Sequence, residues 1–230
     1  MVELDPKYPY PIPAAELERR FLRLHSPAIS DCLDRLGHRA HVLPVEVRPL
    51  DPKMKLAGPI FTARGEATKE DKEEFIQFAF QGYSQMIAMP RPVIVIDSSG
   101  DRTSSHWGEL LSNAAKAIGA AGTVAVGGVR DVDRILPLGY PVFAAFTTPA
   151  DIRGRWRYVD FACPLRFGEV VVRPWDYLLG DMNGIAVVPR ELVVPVLEAA
   201  EKVIDTEEEI RAELQAGNNP LEVYAKYGAF

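Results

Sequence analysis

Apolar positions along this chain recur at two periods. Residues 14–24, AAELERRFLRL, and 26–37, SPAISDCLDRLG, repeat apolar side chains at helical intervals and predict two helices near the start. In the second, Ser26 is the expected N-cap, Pro27 the first helical residue and Gly37 the stop. Before them, prolines at 6, 9, 11 and 13 predict an extended arm over residues 1–13, suited to lie on a neighbouring subunit. Residues 55–67, KLAGPIFTARGEA, alternate like a strand with a glycine kink. TKEDKEEFIQFAFQGY follows, with its acids first as a helix dipole favours. RPVIVIDSSG (91–100) reads as a short buried strand running into a polar loop. ELLSNAAKAIGAAG (109–122) reads as a helix with Leu111, Ala114, Ala115 and Ile118 on one face, ended by Gly119 or Gly122. Further strands are predicted at 123–128, 140–148 and within 168–189, and residues 190–230 form a charged, amphipathic helical region. No repeat, low-complexity tract or linker interrupts this order. It predicts one α/β domain over 1–230 with helical N- and C-terminal segments.

Strand 92–97, helix 109–119 and strand 123–128 form a candidate β-α-β unit. If its strands are parallel, the loops DSSGDRTSSHWGEL and GGVRD leave the sheet at the same carboxyl edge, where open α/β sheets favour ligands. The free N–H groups at the start of helix 109–119 face that edge and suit an anion, and Arg130 can add a bidentate carboxylate clamp. Asp131, Asp133 and Glu109 bring hard oxygen ligands, which suit Mg2+ or Mn2+ better than zinc. The plain alternative is a turn with a solvated ion pair, and for Glu109 a first-turn acid favoured by the dipole.

Composition narrows the field. The chain is 47% hydrophobic and 25% charged, ordinary for a globular domain, and its net charge of −6 gives no basic footprint for nucleic acid. Cys32 and Cys163 lack metal spacing and His25, His38, His41 and His106 are too scattered for a zinc set. MVELDPKYPYPIPAAELERR lacks a basic head followed by an apolar stretch, and apolar runs are strand-sized. A cytoplasmic protein with reduced thiols, binding neither membrane nor nucleic acid, is expected.

SDCLDRLG, KLAGPIFTA, VIDSSGDRTSSHWGELLSNAAKAIGAAGTVAVGGVRDVDRI, YPVFA and DMNGIAVVP together resemble the RraA-like family over roughly residues 26–220. That family includes 4-hydroxy-4-methyl-2-oxoglutarate/4-carboxy-4-hydroxy-2-oxoadipate aldolases and regulators of RNase E activity. Its aldolases carry an acid, twenty residues, Arg-Asp and a further acid. Glu109, Arg130-Asp131 and Asp133 fill those places, with Glu where Asp is usual. Pro174-Trp175-Asp176 likewise stands where Pro-Gly-Asp is more usual. The resemblance implies a layered α/β/β/α-type domain of the swivelling β/β/α kind, and a homotrimer or homohexamer with sites at subunit junctions. It implies a divalent-metal pyruvate aldolase in which Asp131 holds Mg2+ (or Mn2+), with Glu109 and Asp133 as further metal-site acids. Gly108, Arg130 and the Leu110 and Leu111 N–H groups would hold the pyruvyl carboxylate and enolate oxygen. Glu109 would orient a water or take the proton, and Glu207 or Glu208 of a neighbour's C-terminal helix would complete the site.

The chemistry stands without the label. Retro-aldol cleavage removes a hydroxyl proton and stabilises an enolate; a cation with Arg130 supplies the charge, and a carboxylate takes the proton. The same enolate chemistry would serve oxaloacetate decarboxylation. A Schiff-base route wants a desolvated lysine, whereas Lys53, Lys55 and Lys116 sit among polar or surface-facing positions. A second class of function is a non-catalytic protein that regulates a ribonuclease by contact. A methyltransferase is disfavoured, because VAVGGVRD lacks the glycine-rich strand-to-helix setting such a cofactor loop needs.

Overall fold

The computed structural model describes residues 7–228. Residues 1–6 of the expected arm lie outside that range. Residues 7–13 pack on their own chain: the Tyr8 ring meets Trp175 edge-on at 6.2 Å, and Tyr10 meets Tyr177 at 5.8 Å. Helices α1 (Ala14–Arg23) and α2 (Ser26–Arg35) follow. The cap of α2 is His25, whose Nδ1 accepts the Ala28 N–H at 3.2 Å. Ser26 was the expected cap, but its N–H and hydroxyl are both engaged by Asp181, at 2.7 and 2.8 Å.

Then come β1 (Arg48–Pro49), the long β2 (Leu56–Ala67), α3 (Glu73–Met86), β3 (Val93–Asp97), β4 (Ser105–Trp107), α4 (Glu109–Ala117) and β5 (Gly122–Val129). A single turn, α5 (Val132–Ile135), leads into β6 (Val142–Thr147) and β7 (Trp156–Phe161). The hairpin β8 (Leu165–Phe167) and β9 (Val170–Val172), then β10 (Tyr177–Asp181) and β11 (Gly184–Val188), complete the strands. The chain ends in α6 (Val193–Gln215) and α7 (Pro220–Tyr227). Gly119, at φ 82°, follows α4 and is the glycine that stops it.

The main sheet runs β1-β6-β5-β3-β2-β10-β11, with β4 branching onto β5 and β7 onto β2. β2, β3, β5 and β6 are parallel neighbours, as the β-α-β reading requires. β10, β11, β7 and β1 join antiparallel. Because side chains alternate along a strand, one face gathers Ile60, Val95, Val124, Phe143, Leu178 and Val187 into a core with the β8–β9 hairpin. The other face is covered in two blocks. Phe61, Ile94, Ile96 and Ala125 pack beneath α3 and α4, while Tyr177, Leu179 and Val188 pack beneath α1, α2 and α6. This is the layered α/β domain with helical ends that the sequence predicts. The kink in β2 is a register shift between Arg64 and Gly65.

Candidate functional site

The parallel strands end together, and β4 then lies against the end of β5, pairing Ser105 with Gly128 and Trp107 with Val129. The Arg130 N–H donates to the Trp107 carbonyl at 3.0 Å, which fixes the start of the GGVRD loop against the start of α4. Gly127 is needed here for contact, since a Cβ would lie 2.5 Å from the His106 ring. His106 Nδ1 accepts the Gly128 N–H at 2.9 Å, and its Nε2 lies 3.0 Å from Asp101 Oδ2. These partners assign the proton to Nε2. Burial holds the His106 pKa below its ordinary value despite Asp101. Burial raises the Asp101 carboxyl, but bonds from Ser104, Thr103 and His106 outweigh it and bring it down to about 2. The His106 side chain has no solvent exposure, so it is a loop anchor. Trp107 is buried too, its indole N–H donating to Ser112 Oγ at 2.8 Å.

Gly108, Arg130, Asp131 and the backbone N–H of Glu109 converge. Asp131 takes left-handed backbone at φ 58°, and its carbonyl accepts the Arg134 and Ile135 N–H groups of α5 at 2.9 and 3.0 Å. That turn points its carboxylate back at α4. Asp131 Oδ2 lies 3.5 Å from Arg130 Nε and 3.4 Å from the Glu109 N–H. Gly108 closes the group: a Cβ there would come within 3.0 Å of Asp131 Oδ2 and 3.3 Å of Arg130 Cγ. The first-turn N–H groups of Leu110 and Leu111 have no acceptor inside the helix, and both side chains are exposed. Glu109 Oε1 accepts from the Asn113 side chain at 2.5 Å, one turn along α4.

The remaining candidates lie elsewhere. Asp133 is 85% exposed and pairs only loosely with Arg134 at 3.8 Å. Glu207 on α6 meets His25 of the same chain at 3.2 Å, and Glu208 is exposed on the same helix. Among the described residues no three His, Cys, Asp or Glu side chains converge as a ready-made metal cage. Lys55 is half-buried rather than fully surface-facing. Burial lowers its pKa, yet its ammonium is bonded to the Leu22 and Leu24 carbonyls, just before β2 and thus at the opposite edge of the sheet from Arg130.

Sequence reasoning missed Asp151, which takes Arg130 Nη1 at 2.6 Å. One arm of the expected bidentate clamp is therefore already occupied. Burial pushes the Asp151 carboxyl up, but the Arg153 N–H and the Arg130 guanidinium outweigh it and hold it below the usual range. Asp151 lies in a loop 21 positions from Arg130, and no local spacing points to it.

The sequence pattern of the RraA-like family (Aldolase/RraA) matches residues 26–187. The chain belongs to the RraA-like family. This RraA-like chain is 31% identical over 204 residues to Protein DlpA of Legionella pneumophila, spanning 88% of this chain but only 32% of that protein. It is 30% identical over 183 residues, 80% of this chain and 81% of the relative, to a Halalkalibacterium halodurans protein named "Putative 4-hydroxy-4-methyl-2-oxoglutarate aldolase". Its fold matches Streptomyces coelicolor RraAS2, described as an unusual member of the RNase ES inhibitor RraA protein family. That match has TM-score 0.76 at 26% identity, over 88% of this chain and all of that one. No helix among the described residues is long and apolar enough to cross a membrane.

Proposed function

We propose that this RraA-like chain is a divalent-metal-dependent aldolase that cleaves a 4-hydroxy-2-oxo acid to pyruvate and a second carbonyl compound. The carrying observation is the convergence of Arg130, Asp131 and the start of α4 around Gly108, where any side chain would crowd the carboxylate. The donor set fits Mg2+ or Mn2+. Asp131 offers a half-exposed carboxylate whose Oδ2 alone is near donors, and Glu109 stands one helical position from Gly108. Hard cations of this kind keep several waters and need only one or two protein carboxylates. When bound, such a cation would polarise the 2-oxo group of the substrate.

The rest of the work falls to the chain itself. The free arm of Arg130 and the Leu110 and Leu111 N–H groups bind the substrate carboxylate and the oxygen that gains charge as the C3–C4 bond breaks. Glu109, or a water that it orients, takes the C4 hydroxyl proton. Asp151 keeps Arg130 in place. Decarboxylation of oxaloacetate would draw on the same residues. A homotrimer or homohexamer, with Glu207 or Glu208 of a neighbour completing the site, belongs to this reading, as does a cytoplasmic location.

The test is a panel of 4-hydroxy-2-oxo acids and oxaloacetate with Mg2+ or Mn2+, pyruvate release being coupled to a reporter. Release that excess chelator abolishes is the expected result; equal release in chelator would overturn the metal role. A second reading, a ribonuclease regulator acting by contact, draws on the likeness to RraAS2. Retention of a ribonuclease in a pull-down, with no pyruvate from any member of the panel, would favour it.

A further inference from the structure

The first turn of α4 borders a cleft of about 500 Å³ between α3 and β7. Leu111 and Ala114 form its α4 wall, and Ile152 and Arg153, next to the Asp151 that holds Arg130, form its floor near the site. A smaller cavity of about 60 Å³ continues it inward. The two share Ala79, Tyr83, Leu111 and Tyr158, and the inner one reaches Trp107, the residue before Gly108. The cleft thus reaches the candidate site's edge at Leu111 and is of a size that holds small ligands.

The lining is apolar, and its polar atoms are already committed. The Trp156 indole N–H donates to the Ser98 carbonyl at 3.0 Å, and the Tyr158 hydroxyl to the His106 carbonyl at 3.2 Å. Tyr83 turns its hydroxyl to the Ala114 carbonyl at 3.4 Å. The rim cations are neutralised as well: Lys72 by Glu70 at 2.8 Å, Arg153 by Asp71 at 3.0 Å, Arg157 by Glu66 at 2.6 Å. The Arg157 guanidinium also lies 4.7 Å from the centre of the Phe75 ring. What remains for a ligand is the rings of α3 and β7 and the aliphatic side of α4. A second carboxylate entering here would lose its hydration and find every cation paired.

We propose that this cleft is the subsite for the C4 substituent, and that the substituent is a large apolar or aromatic group rather than a carboxylate. The proposal rests on the aldolase reading. In cleavage the C3–C4 bond breaks, its electron pair stays on C3 of the pyruvyl part, the C4 hydroxyl proton leaves, and C4 departs as an apolar aldehyde or ketone. A proton taken up at C3 completes pyruvate.

Binding of two 2-oxo acids that have no C4 hydroxyl to cleave tests the subsite without catalysis. With Mg2+ present, calorimetry on the full chain compares 4-phenyl-2-oxobutanoate with 2-oxoglutarate. The expected result is at least tenfold tighter binding of the phenyl compound, and loss of that preference in Ala79→Trp, which fills the cleft from α3. Should that variant misfold, Ala114→Leu narrows the cleft from α4. A parallel assay, exchange of the pyruvate methyl protons with deuterium in the wild-type chain, reports the aldolase reading on its own. Exchange together with equal or tighter binding of 2-oxoglutarate overturns the subsite and leaves the aldolase. Absent exchange with the phenyl preference intact removes the aldolase and keeps an apolar 2-oxo-acid site. A change in assembly mass in Ala79→Trp without a change in preference makes the cleft a contact between copies of this chain and overturns the proposal.

Discussion

Asp131 and Trp175 hold the same left-handed backbone, at φ 58° and 70°, for different reasons. An L-residue there costs roughly 1–2 kcal/mol unless its side chain is short and polar, as Asp is. Asp131 meets that exception, and its turn sends a half-exposed carboxylate toward Arg130 and α4. Trp175 does not meet it. It stands where the family resemblance expects glycine, and its indole is 2% exposed in the core, with the Tyr8 ring edge-on against it. Its carbonyl accepts the Tyr10 hydroxyl, and its N–H donates to Ile60 at 3.0 Å. The adjacent Asp176 is pushed up to about 6, chiefly by burial, although the Arg173 and Arg190 N–H groups bond it. One left-handed residue sets a half-exposed carboxylate at the rim; the other trades backbone comfort for packing under the arm.

Substitutions that separate backbone from side chain sharpen this contrast. The largest effect is expected at Asp131. Asp131→Asn keeps a residue tolerant of left-handed backbone but removes the charge, so turnover should fall about a thousandfold or more while melting temperature hardly moves. Asp131→Ala should be equally inactive and about 1 kcal/mol less stable, because alanine lacks that tolerance. A Asp131→Asn variant with near-normal turnover would make Asp131 merely a turn residue. Arg130→Lys keeps charge but loses the planar fork that serves Asp151 and substrate together. Its turnover should drop about a hundredfold with the fold intact, as steady-state kinetics and circular dichroism would show.

Asp151→Asn should weaken turnover about tenfold by loosening Arg130. Its stability should stay within about 1 kcal/mol, since the pair is partly solvated. The smallest effect on activity is expected at Trp175. Trp175→Ala should cost about 3–5 kcal/mol of stability for the lost indole. Trp175→Gly should lose about 1 kcal/mol less, because glycine relieves the left-handed backbone. Turnover per folded molecule should stay at the wild-type value in both. Urea unfolding that ranks alanine above glycine would refute the backbone argument.

Much of this was legible in the sequence because the helices and most strands carry clear periods. The β-α-β frame around α4 and the loops at its carboxyl edge follow from residues 92–130 alone. Other features depended on partners far along the chain. Ser105–Trp107 is too short and polar to read as a strand, and it forms because the end of β5 offers it a ladder. Trp156–Phe161 is absent from the strands the sequence predicts, although it forms the edge strand beside β2. Leu111 was expected on the buried face of its helix. It is 43% exposed because the buried side of α4 centres on Ser112 and Ala115 instead. In the candidate site, Glu109, Arg130 and Asp131 are legible from their spacing. Asp151 is not, since only the fold brings its loop to Arg130. Asp133, one residue beyond α5's first, shares the spacing but turns to solvent.

In the proposed aldolase, Asp131 and Arg130 stabilise a pyruvyl enolate with a divalent cation. The most direct measurement is exchange of the pyruvate methyl protons with deuterium, followed by proton NMR with Mg2+ or Mn2+. The wild-type chain should catalyse exchange; Asp131→Asn and excess chelator should each abolish it. Exchange that continues unchanged in both would remove Asp131 and the cation from the reaction.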